Sequence, residues 1–193
     1  MRSFETSRKT KETDVAVRIA LDGSGRSDIK TGIGFFDHML TALCAHGGLD
    51  LTVRAAGDLE VDCHHTVEDV GLVLGDALAG ALGDRSGIER YGFFYAPMDE
   101  SLALCAMDIS GRPYLVFDCS FDRAKIGELE TDMIAEFFRA LAARAGITLH
   151  MKLLYGANDH HRAEALFKAF AHALKAAIRP ARGAVLSTKG VLI

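Results

Sequence analysis

The chain has no tryptophan and only three prolines among its 193 residues. With so little proline there is no stiff Pro-rich linker to hold separate domains apart. A basic excess is also missing. Lys and Arg total 22 against 26 Asp and Glu, a formal net charge of −4. That balance argues against a general nucleic-acid binder, which needs cations to offset phosphates. No apolar run reaches the roughly 18 residues of a membrane-spanning helix. Residues 1–14 are polar and mixed in charge, without the apolar stretch of a signal peptide. The four cysteines, Cys44, Cys63, Cys105 and Cys119, are dispersed with no C-x-x-C pair, so neither a zinc knuckle nor a disulfide framework is indicated. They read as reduced, packed thiols of a cytoplasmic protein that has neither a membrane nor a nucleic acid as partner.

Apolar residues make up 49% and charged residues 25%, the balance of a soluble domain with a fillable core. The most informative feature is a repeat. His64-His65-Thr66-Val67-Glu68 and His160-His161-Arg162-Ala163-Glu164 share the pattern H-H-x-x-E, half a chain length apart. Upstream, His38-Met39-Leu40-Thr41-Ala42-Leu43 aligns with Glu136-Phe137-Phe138-Arg139-Ala140-Leu141. The register continues through Gly48 and Gly146, then slips before the second motif, as a shortened hairpin turn would cause. Leu21-Asp22-Gly23-Ser24-Gly25 likewise resembles Met107-Asp108-Ile109-Ser110-Gly111.

Each half has the same order of features. Residues 14–21 and 102–109 alternate apolar and polar, as half-buried strands do. Helical stretches follow at 36–46 and 132–145, then strands at 49–55 and 148–154. Each motif then opens a long helix, at 65–82 or 161–178. Asp62 and Asn158 or Asp159 are suited to cap those helices. In the last helix Leu166, Phe167, Phe170, Ala173 and Leu174 form one apolar face. The predicted fold is α+β: two antiparallel four-stranded sheets sandwich a layer of four helices. Residues 1–193 form one structural domain with pseudo-repeats over 1–90 and 91–193.

A single H-H-x-x-E is most often a pair of surface histidines, but two in register within a duplicated frame point to metal. Five of the eight histidines, His38, His64, His65, His160 and His161, fall at positions that anchor the repeat. Residues three apart share a helix face, so His65 pairs with Glu68 and His161 with Glu164. His64 and His160 point roughly 100° away. A pseudo-twofold axis then gives two crossed sites, each taking a His/Glu pair from one half and the first His from the other. Imidazole and carboxylate without thiolate lean toward Mn or Fe. By this ligand set alone the chain could equally be a dinuclear hydrolase or a non-catalytic, metal-stabilised assembly. His150 and His172 read as packing or solvent-exposed residues.

Several stretches, Gly32-Ile33-Gly34-Phe35-Phe36-Asp37-His38-Met39-Leu40, Asp62-Cys63-His64-His65-Thr66-Val67-Glu68-Asp69, Ser110-Gly111-Arg112-Pro113-Tyr114, the run from Asn158 to Phe170 and the ending Ser187-Thr188-Lys189-Gly190-Val191-Leu192, together resemble the signatures of the imidazoleglycerol-phosphate dehydratase family. The resemblance runs from Arg8 to Leu192. It implies two Mn(II) ions per active site and a 24-subunit assembly with sites between subunits. It assigns His38, His65, Glu68 and His160 to one metal, and His64, His161, Glu164 and a residue of the 132–145 helix to the other. That last residue aligns at Glu136, where many family members have His. Two readings of Glu136 stand: carboxylate ligation, or a water-facing side chain with fewer protein ligands on the second metal. The resemblance also implies substrate contacts from Glu12, His46, Arg90, Arg112, Lys168, Ser187, Thr188 and Lys189. Arg and Lys among these suit a phosphate. The implied reaction removes water from imidazoleglycerol phosphate to give imidazole acetol phosphate in histidine biosynthesis. The hydrogen removed lies next to no carbonyl, so the imidazole ring must serve as electron sink and an acid/base must move the proton. Glu12 is the candidate.

Overall fold

The structure, a computed structural model, describes residues 2–181 and residue 187. The first half runs β1 (Ser3–Lys9), β2 (Thr13–Ala20), β3 (Ser27–Lys30), α1 (Gly34–Gly47), β4 (Asp50–Gly57) and α2 (His64–Leu82). The second repeats it with β5 (Tyr91–Met98), β6 (Ser101–Asp108), β7 (Tyr114–Asp118), α3 (Asp132–Ala145), β10 (Thr148–Tyr155) and α4 (Asp159–Ala177). It inserts a small hairpin, β8 (Lys125–Ile126) with β9 (Leu129–Glu130), before α3. The sheet orders, β1-β2-β4-β3 and β5-β6-β10-β7, correspond strand for strand.

The sheets are antiparallel except at one edge. β3 runs parallel to β4, and β7 parallel to β10. The expectation of wholly antiparallel sheets is corrected on this point. A parallel pair needs a crossover of a dozen or more residues, which α1 supplies in the first half and the β8–β9 segment with α3 supplies in the second.

Alternation decides which face is buried. Val15, Val17 and Ile19 of β2 are buried, as are Ala103, Cys105 and Met107 of β6. Over these faces, α2 packs on β1, β2 and α3, while α4 packs on β5, β6 and α1. Five buried phenylalanines join the halves: Phe36, Phe137, Phe138, Phe167 and Phe170. Phe36 meets Phe137 edge-on at 5.2 Å between centroids, and Phe137 stacks on Phe167 at 5.5 Å.

The local devices repeat as well. Asp62 accepts from the His64 N–H at 2.7 Å, and Asn158 accepts from the His160 N–H at 2.9 Å. These bonds fix where each motif helix begins, satisfying an otherwise unpaired donor. Helices α1 and α3 both stop at a left-handed glycine, Gly48 (φ 67°) and Gly146 (φ 66°). Glycine takes that conformation without the Cβ penalty. Arg2 binds Asp22 and Arg90 binds Asp108 at matching places ahead of β1 and β5. Among the described residues, no helix is long and apolar enough to cross a membrane.

Candidate metal centre

His38 on α1 meets His160 and Glu164 on α4 where the two helices cross. One ligand atom from each residue lies within 4.8 Å of the others. His38 Nε2 is 3.5 Å, and His160 Nε2 3.2 Å, from Glu164 Oε2. Phe35 closes one side, edge-on to His160 at 5.0 Å. Glu164 is only 8% exposed. Burial opposes its ionisation, but the Lys168 ammonium, 2.7 Å from Oε1, together with His38 and His160 holds its pKa below the usual value. Two imidazole nitrogens and a carboxylate oxygen converging from two helices suit a borderline divalent cation. Three donors would not by themselves fill the coordination shell of such an ion.

One local pairing differs from the helix-face reading of the sequence. In each motif the first His, not the second, shares a face with the Glu: His160 with Glu164, and His64 with Glu68 at 3.7 Å. This is the (i, i+4) relation, which aligns side chains along a helix as well as (i, i+3) does. Within one chain His160 sits with Glu164 and His38. The second histidines lie on another side of each helix, less exposed than the first, and are held by carboxylates. His65 Nδ1 is 3.0 Å from Asp58, and His161 Nδ1 is 2.7 Å from Glu100. These bonds raise the pKa of both rings. A carboxylate on Nδ1 fixes the ring and leaves Nε2 as the ligating atom, the usual second partner of a metal-binding histidine. Asp58 and Glu100 were not singled out in the sequence, although both precede or face a motif across a turn.

Glu12 lies in the turn between β1 and β2, its carboxylate 3.9 Å from His65 Nε2. Glu136, on α3, is engaged by Arg139 one turn on, its side chain 19% exposed. The structure does not bring Glu136 into the three-residue cluster. His46, at the end of α1, places Nδ1 3.2 Å from Nε2 of His172. Lys168 reaches both Glu164 and the Met98 sulfur, 3.2 Å away. Arg90 is forked onto Asp108 at 2.6 and 2.9 Å. Arg112 is exposed, at the bend leading into β7. Ser187 is half-buried. Thr188 and Lys189 lie outside the described residues. His172, read from sequence as packing or solvent-exposed, is the ring partner of the predicted site residue His46.

A sequence model of the imidazoleglycerol-phosphate dehydratase family matches residues 31–174, a span that contains both motifs. The imidazoleglycerol-phosphate dehydratase of Acetivibrio thermocellus is 58% identical over 193 residues, covering 99% of each chain. That of Clostridium kluyveri is 53% identical over the whole of both chains. Among solved structures, the Staphylococcus aureus imidazoleglycerol-phosphate dehydratase superposes with a TM-score of 0.84 at 42% identity, covering 92% of this chain and 99% of that one. The Pyrococcus furiosus protein gives 0.85 at 40%, covering 97% and 100%. The duplicated fold, the paired motifs and these matches agree across nearly the whole sequence, and the chain belongs to the imidazoleglycerol-phosphate dehydratase family.

Proposed function

We propose that the chain dehydrates imidazoleglycerol phosphate to imidazole acetol phosphate at a two-metal centre, with Mn(II) in both positions. As a member of this family it is a dehydratase, a hydro-lyase serving histidine biosynthesis. The observation that carries the two-metal reading is the convergence of His38, His160 and Glu164, together with the second histidines, His65 and His161, that Asp58 and Glu100 pre-orient. The metal ligands are His38, His64, His65, Glu68, Glu136, His160, His161 and Glu164.

Bound metal supplies positive charge that makes the substrate ring a better electron sink. The protein's own groups do the rest. Glu12, with its carboxylate 3.9 Å from His65 Nε2, is placed to move the carbon-bound proton. Lys168, Arg90, Arg112 and Lys189, with Ser187, Thr188 and His46, hold the phosphate end. Since His65 and His161 stand apart from their own chain's cluster, we take the sites to be completed between copies in a 24-subunit assembly.

The test is an activity assay on chelator-stripped protein with Mn(II) restored, followed by metal counting. Turnover returning at about two ions per chain is the expected result. A folded, metal-loaded protein without turnover of imidazoleglycerol phosphate overturns the reading.

A further inference from the structure

His172 sits on α4, one turn beyond Lys168, and Lys168 is one turn beyond Glu164. One stripe of the helix therefore leads away from the metal cluster toward His172. At its end the His172 ring stacks on Phe94, 4.3 Å between centroids with 24° between planes. That contact fixes the plane of the ring. Its Nε2 lies 3.2 Å from His46 Nδ1. Two imidazoles this close cannot both be charged without repulsion. Burial, the neighbouring Lys168 and, for His172, the other ring lower both pKa values. Two neutral rings joined nitrogen to nitrogen must adopt complementary tautomers: one donates and the other accepts.

We propose that His172 is a positioning residue for His46: its Nε2–H donates to His46 Nδ1, fixing His46 in the tautomer that carries its proton on Nε2, a donor for the phosphate end of the substrate. The inference rests on the reading of His46 and Lys168 as phosphate contacts. The opposite tautomer would make His46 Nε2 an acceptor, which an anion repels. His172 thus acts through the ring it holds, with Phe94 as the backstop.

Four variants of the metal-loaded protein test this. His172→Phe keeps the stacking on Phe94 and removes the donor. It should raise KM by about three- to tenfold, the worth of one hydrogen bond, with kcat little changed. It should weaken binding of inorganic phosphate, measured by calorimetry, by the same factor. His172→Gln, which retains an N–H donor, should recover most of the loss. In a His46→Phe background the His172→Phe change should cost nothing further, because its effect runs through His46. Wild-type KM and phosphate affinity in His172→Phe overturn the proposal, as do losses that simply add in the double variant. If the wild type binds phosphate but does not turn over imidazoleglycerol phosphate, the dehydratase reading fails, and the phosphate-binding cycle still decides the role of His172.

Discussion

One carboxylate and three thiols show how environment decides what a residue does. Glu136 aligns with His38 across the repeat, and here it is paired with Arg139. A carboxylate is a harder ligand than imidazole but still suits Mn(II). Glu136→Ala should lower bound Mn(II) from about two ions per chain to about one, measured by atomic emission on dialysed protein, and Glu136→His should restore the second ion. An unchanged count in Glu136→Ala would show that the side chain faces water. The cysteines behave oppositely. Burial pushes the Cys44 thiol up to about 11 and Cys119 up to about 12, and raises Cys105 as well. The reactive thiolate is therefore scarce near neutrality. Native protein at pH 8 should show none of these three reacting quickly with a disulfide reagent, and all should react once guanidinium unfolds the chain. A rapid native phase assigned to any of them would contradict their placement.

At the scale of elements, the interior of each half was legible and its edges were not. Helix α3 has the predicted bounds, and β2, β6, β4 and β10 lie within two residues of theirs. Their alternation or periodicity comes from one face meeting a core. The remaining strands carry no such pattern. β1 is exposed along nearly its whole length, and β3 and β7 are edge strands of four and five residues. Edge strands are held by backbone bonds to one neighbour, so composition says little about them. Sequence also gave no sign of how closely α2 and α3 approach. A Cβ on Gly71 would lie 2.8 Å from the Phe137 carbonyl oxygen, and one on Gly75 2.7 Å from that of Leu141. Both obstacles are helix backbone, which cannot swing aside. Replacing Gly75 by Ala gains about 1 kcal/mol of helix propensity, yet forcing the helices apart costs roughly 1–3 kcal/mol. Gly75→Ala should therefore lower the melting temperature of the metal-free protein, whereas Gly34→Ala, with open space around its Cβ position, should not. Equal stability of the two variants would mean the helices have room to spare.

For the molecule as a whole, duplication supplies two of everything, and the two copies have diverged in their outer faces. The first sheet turns out Arg18, Asp28, Asp50 and Arg54, knitted by ion pairs such as Arg26 with Asp50. The second turns out Tyr91, Phe93, Tyr95 and Tyr114, each more than half exposed. So much exposed aromatic surface on one side marks it as an interaction face. The motif residues were readable because ligand chemistry restricts their type and spacing. Which histidine of a motif lies beside its glutamate was not, because a helix aligns (i, i+3) and (i, i+4) neighbours alike, and the meeting of His38 with the second motif depends on how α1 and α4 cross. That crossing leaves His65 outside the cluster of His38, His160 and Glu164, and it yields a test of shared sites. His65→Ala and His160→Ala should each be inactive alone. If a site joins the cluster of one copy to the second histidines of another, mixed assemblies contain some sites with both parts intact. Random association at equal ratio predicts about a quarter of wild-type activity. The two variants, unfolded together, refolded and reloaded with Mn(II), should recover activity that neither regains alone. If every site is built within one chain, no mixture can repair it, and activity stays at the level of the separate variants.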